Sequence, residues 1–105
     1  MSIKIYNKLV RDKIPEIIRA AGEEPKTRIL EDAEYLQALV KKLEEEYDEF
    51  QADMNVEELA DLQEVILAFA DALNITREQL EKVRLDKVAK RGAFAQKLFL
   101  ESTDG

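Results

Sequence analysis

The chain has 105 residues, 46% of them hydrophobic and 37% charged, with a net charge of −7 and neither cysteine nor histidine. That length predicts one domain, 1–105, able to form a core but small enough that dimerisation would help it. Without cysteine there are no disulfides and no thiolate chemistry. Without histidine there is no imidazole base, no Ser-His-Asp triad and no His-ligated zinc, so acid–base and metal work falls to carboxylates.

No apolar run approaches the roughly 20 residues that span a bilayer. The N-terminus, MSIKIYNKLVRDK, lacks the apolar stretch of about 7–15 residues in a signal peptide, so a cytoplasmic protein with no membrane partner is expected. Charge is laid out unevenly: residues 1–28 carry +3, residues 29–81 carry −13 and residues 82–105 carry +3. A DNA-binding face wants one continuous positive surface, so DNA is not the expected partner. An acidic centre between basic ends suits metal ions on the acidic part and basic side chains on outer phosphates. For most single charges in the run, a solvated helix face is the simpler reading.

Ile3 and Ile5 alternate with Lys4 and suggest a short extended piece. A first helix is expected over about 8–21, where Ile14, Ile17, Ile18 and Ala21 recur at helical spacing and Gly22 is a stop. Pro15 is awkward in a helix interior. A start near Asp12 or Ile14 would leave residues 7–11 as a turn free to bind something. GEEPK reads as a loop, and TRIL at 27–30 as another brief extended piece. A long second helix, about 32–53, carries Leu36, Leu39, Val40, Leu43, Tyr47 and Phe50 as an apolar stripe.

After a break at 53–55, Asn55 is a good N-cap for a third helix, with Glu58 in the capping-box position. Leu59, Leu62, Val65, Ile66, Phe69 and Leu73 form that helix's buried side, and Asn74 ends it. Thr76 and Gln79 make a second capping box opening a fourth helix that runs to about Arg91 before Gly92. The tail from Ala93 is apolar, then polar, with room for a last extended piece. The fold expected is all-α: a helical hairpin core with flanking helices. Apolar surface left over on one hairpin suggests two copies packed into a four-helix bundle, a homodimer or higher homo-oligomer.

Two carboxylate pairs at i,i+3 stand out, Glu46 with Glu49 and Glu58 with Asp61. Residues three apart share one side of a helix, so two packed helices can bring all four together. At 100° per residue, Glu58 lies about 40° from Leu62, inside the apolar stripe, and Asp61 about 100° away. Glu46 lies about 60° from Leu43 and Glu49 about 120°. Glu44, Glu45 and Asp48 fall on the far side. A carboxylate on a core-facing surface costs several kcal/mol unless paired or bound to metal. Hard cations such as Mg²⁺ take such oxygen ligands, commonly together with substrate phosphates. Glu58 capping its own helix is the bland alternative. Ca²⁺ buffering lacks the glycine-bearing loop, and a di-iron site wants Glu-x-x-His pairs that a chain without histidine does not have.

Residues 43–61, LEEEYDEFQADMNVEELAD, resemble the EExxE…ExxD pattern of the all-α nucleoside triphosphate pyrophosphohydrolases, the MazG-like superfamily that includes phosphoribosyl-ATP pyrophosphohydrolase. Glu45-Glu46-Tyr47-Asp48-Glu49 matches the first half and Glu58-Leu59-Ala60-Asp61 the second. YNKLVRDKIPEII and the late KRGAF are similar to a branch of small stand-alone members, so the likeness runs from about residue 6 to 94. It implies Glu46, Glu49, Glu58 and Asp61 as Mg²⁺ ligands, with Mn²⁺ as a substitute, and Glu45 as a supporting catalytic residue beside Glu46 and Glu49. It also implies hydrolysis of an NTP between the α and β phosphates, giving NMP and pyrophosphate, in a nucleotide-pool house-cleaning role. Only eight residues separate Glu49 from Glu58, a shorter spacer than the superfamily's usual one, which implies a tighter hairpin and a different nucleotide pocket.

A polyphosphate wants cations. Lys8, Arg11 and Lys13 lie on the turn into the first helix, and Asn7 could read a base or sugar. Lys87, Lys90 and Arg91 could reach the same pocket or simply complement a helix C-terminus. Tyr47 and Phe50 could stack on a base, with core packing the plainer role. Two other functions stay open: a non-catalytic helical dimer binding a nucleotide or protein partner, and phosphoribosyl-ATP hydrolysis.

Overall fold

A computed structural model describes residues 2–105, and every regular element in it is an α-helix: α1 (Ile14–Ala20), α2 (Asp32–Ala52), α3 (Val56–Ala72) and α4 (Arg77–Arg91). The chain divides into two compact units, one ending at Asn74 and the other spanning Ile75–Gly105. None of the helices is long and apolar enough to cross a membrane. The extended pieces expected at 3–5, 27–30 and in the tail do not become strands among the described residues. Ile3, Ile5 and Ile29 instead lie exposed in irregular chain. A strand needs a neighbour to take its backbone groups, and each of these segments lacks one.

In the first unit, Pro15 decides where α1 begins. Its fixed φ and missing donor suit a helix's first turn and nothing deeper, so the helix starts at Ile14 rather than residue 8. Gly22 ends it with φ +89°, which lets the Glu23 amide donate to the Ile18 carbonyl at 3.2 Å. Upstream, Asn7 has φ +46°. Asn tolerates this left-handed conformation better than most residues, and the chain bends at the next residue, Lys8.

The α2 and α3 helices pack against each other as the expected hairpin. Asn55 caps α3, its side-chain oxygen accepting from the Glu58 amide at 2.9 Å. The reciprocal half of the capping box is missing, because the Asn55 amide donates to the Asp53 carbonyl at 3.0 Å. The Glu58 carboxylate is therefore left for other work. Replacing Asn55 with Ala should cost about 1 kcal/mol, a fall in melting temperature of about 4–8 °C readable by circular dichroism.

Leu39, Val65 and Ala70 are the buried apolar side chains, and Leu36, Leu43, Phe50, Leu62 and Phe69 are half-buried beside them. Val40, Tyr47, Leu59, Ile66 and Leu73 belong to the same stripes yet stay exposed, the last three against the burial expected for them and all five as apolar surface left over on one hairpin. An apolar stripe on a helix is at least about 100° wide, and one neighbouring helix covers only part of it.

In the second unit, Thr76 and Gln79 complete both halves of their capping box, at 2.9 and 3.1 Å. α4 stops at Gly92, with φ +83° and its amide on the Val88 carbonyl at 2.8 Å. Lys82 pairs with Asp86 at 3.2 Å, and Arg84 with Glu81. The tail that follows has a single turn, the Lys97 amide donating to the Phe94 carbonyl at 3.2 Å.

Candidate metal centre

The hairpin brings Glu46 and Glu49 of α2 together with Glu58 and Asp61 of α3, each offering an oxygen within 4.8 Å of the others. Opposite ligands of one Mg²⁺ stand about 4.2 Å apart and adjacent ones about 3 Å, so the four side chains would draw inward to hold one ion. Burial grades across the cluster. Glu46 is 6% exposed, Glu58 and Asp61 are half-buried, and Glu49 faces solvent. Glu46 Oε2 and Glu58 Oε2 are both shut away from solvent without a hydrogen-bond partner. Leaving such an oxygen unpaired costs about 1–3 kcal/mol, more when it is charged. Both oxygens belong to the four-carboxylate cluster, where a cation could partner them.

Basic side chains rim the carboxylates. Lys42 Nζ lies 3.3 Å from Glu46 Oε1 and 3.7 Å from Glu45 Oε1, with its side chain only 17% exposed. Lys42 was not among the expected site residues. Its i,i+4 spacing to Glu46 is the signal that marks it. It holds one oxygen of Glu46 and leaves the other for the cluster. Glu45 does not point outward, as its helix angle suggested, because Lys8 donates to its Oε1 at 3.1 Å. Arg11 Nη2 donates to Asp61 Oδ1 at 2.6 Å. The turn at 7–11 is thus tied to both helices of the hairpin, once to each. With Glu45 included, five carboxylates face three cations, Lys8, Arg11 and Lys42. The shortfall is two positive charges, the charge of one divalent ion.

Protonation follows this layout. Burial, then the neighbouring Glu49 carboxylate, pushes the Glu46 carboxyl above its ordinary range despite Lys42. For Glu45, burial is the largest influence and pushes it up, but Lys8 and Lys42 together outweigh it and hold it low. The hydrogen bond to Glu45 raises Lys8, with the charges of Glu45, Glu49 and Glu46 adding to it. Acidic groups of opposite tendency therefore stand side by side on α2.

Of the other residues expected to bind substrate, Asn7 is exposed, and its left-handed backbone alone accounts for an asparagine there. Lys13 is the exposed N-cap of α1. Lys87, Lys90 and Arg91 belong to the second unit, exposed toward the end of α4, where Lys90 and Arg91 complement the helix dipole. Tyr47 is exposed rather than core, while Phe50 is half-buried.

No protein-family model matches the chain, and no solved structure matches it. Among curated proteins, the chain is similar to an uncharacterised protein of Mycolicibacterium smegmatis, with 57% identity over 44 residues. That stretch is 42% of this chain and 45% of the relative, so the likeness covers less than half the length of either and carries a local resemblance alone.

Proposed function

We propose that the chain is a Mg²⁺-dependent nucleotide pyrophosphohydrolase, cutting an NTP between its α and β phosphates to give NMP and pyrophosphate. The observation that carries this reading is the convergence of four carboxylates from two helices, with the Oε2 atoms of Glu46 and Glu58 buried and unpartnered. The resemblance of residues 43–61 to the MazG-like pattern names the same four side chains.

Glu46, Glu49, Glu58 and Asp61 would hold the metal. When bound, Mg²⁺ neutralises phosphate charge and acidifies water, which lets hydrolysis proceed near neutral pH without a covalent intermediate. Lys8, Arg11 and Lys13 supply donors for outer phosphate oxygens. A carboxylate of the set would take the proton from the attacking water, directly or through the metal; Glu49 is the solvent-facing member, with Glu45 held low beside it by Lys8 and Lys42. A second copy laid over Val40, Tyr47, Leu59, Ile66 and Leu73 would cover the exposed stripe and complete a four-helix bundle.

The test is a panel of ordinary and modified NTPs with Mg²⁺, scored separately for pyrophosphate and orthophosphate. Pyrophosphate with NMP is the expected product. Orthophosphate alone would move the cut to the terminal phosphate and reject the reaction class.

A further inference from the structure

Arg11 occupies an unusual position for a phosphate-binding side chain, because it is already engaged. Its guanidinium sits 2.6 Å from Asp61 Oδ1, and Asp61 is one of the four residues offering oxygens to the cluster. A cation held by that carboxylate would face the guanidinium across a single carboxylate group. The cluster itself rests on more than acidity, since Glu46 is over nine-tenths buried and its Oε2 finds no partner there.

We infer that Arg11 is an exchange cation: it holds Asp61 in the ion-free chain, gives way to a divalent ion, and loosens the 7–13 segment as it leaves. This deepens the metal-centre reading and rests on it. The neighbouring pairs show why Arg11 is the cation that yields. Lys42 and Glu46 are 17% and 8% exposed at their side chains, and both lie on α2, so their pairing is fixed by the helix. The Arg11–Asp61 pair is 56% and 38% exposed and joins a loop to a helix. Solvent-exposed pairs are weak and readily exchanged. Lys8 is bonded to Glu45, outside the four-residue cluster, so the segment keeps one anchor when the other is lost. The chain bends at Lys8, beside Asn7 with its φ of +46°.

The experiment counts bound Mn²⁺, as a stand-in for Mg²⁺, by electron paramagnetic resonance on the whole chain. Native protein is compared with Arg11→Met and Arg11→Lys, with circular dichroism confirming equal helicity. Arg11→Met should bind Mn²⁺ roughly two- to fivefold more tightly than native, the range set by a weak exposed pair, and Arg11→Lys should stay near native. In parallel, amide hydrogen exchange over residues 7–13 of the native chain should quicken at saturating Mn²⁺. Equal or weaker Mn²⁺ binding by Arg11→Met, or an unchanged or slowed segment, overturns the exchange role and leaves the metal centre standing. If neither native nor Arg11→Met protein binds Mn²⁺, the metal centre falls and the exchange role with it.

Discussion

Changing Glu49 to Gln or Asp61 to Asn will lower turnover by about a hundred- to a thousandfold while the helical dichroism signal stays native. Each change keeps the shape of the side chain and removes one negative charge from the cluster. The cost falls on cation binding, because an amide oxygen is a poorer partner for a hard ion than a carboxylate. Folding should hardly notice. Glu49 faces solvent, and Asp61 makes one exposed pair with Arg11, of a kind worth about 0–1 kcal/mol. Steady-state pyrophosphate release, measured alongside the dichroism spectrum, separates the two effects. Full turnover in both variants would reject a catalytic role for these carboxylates.

Glu46→Gln should split stability from metal binding. If the native chain binds Mg²⁺ as proposed, the ion at a hundred times its dissociation constant should add about 2.7 kcal/mol, roughly 10–20 °C in melting temperature for a domain of this size. The variant should lose most of that rise. Without metal it should melt above native protein at neutral pH, because the ionised Glu46 carboxylate is buried against Glu49.

The pH dependence follows from the sign of that shift. A carboxyl whose folded-state pKa is raised contributes stability below its unfolded value and loses it as pH rises through the folded one. Metal-free native protein should therefore gain stability as pH falls from neutrality toward the usual carboxylate range. Glu34, held low by its hydrogen bond to Arg28, works the other way, as does Glu81 with Arg84. Their contribution is lost as pH falls through their depressed values, so the turnover to acid destabilisation comes at lower pH. Glu46→Gln should flatten the upper part of the profile and leave the acid limb intact. Calorimetric melts of both proteins across that range, with and without Mg²⁺, check the whole set.

The helices and the carboxylate set were legible because both are local matters. Apolar spacing of three and four, Asn55 and Thr76 as caps, and Gly22 and Gly92 as stops are all written within one or two turns. The pairs Glu46–Glu49 and Glu58–Asp61 needed only helix geometry and a tight connection to meet. Long-range partners were not legible. Lys8 reaches Glu45 across 37 positions and Arg11 reaches Asp61 across 50, and no periodicity encodes either. Glu45 consequently read as outward-facing. Lys42 was readable from its i,i+4 spacing to Glu46 but was not singled out. The exposure of Tyr47 and Leu59 was hidden for a different reason: the pattern says that a face is apolar, and only packing says how much of it one chain can cover.

The turn at 53–55 stands between the two halves of the ligand set, with Met54 at its middle and well exposed. An ion gripping oxygens from both sides of that turn would act as a crosslink, closing a short loop of chain without a covalent bond. A protease cut beside Met54 would then leave the two pieces clamped while the ion stays and let them part when a chelator removes it. With a divalent ion bound, the few residues that set the hairpin's tightness would also be the ones it fastens reversibly.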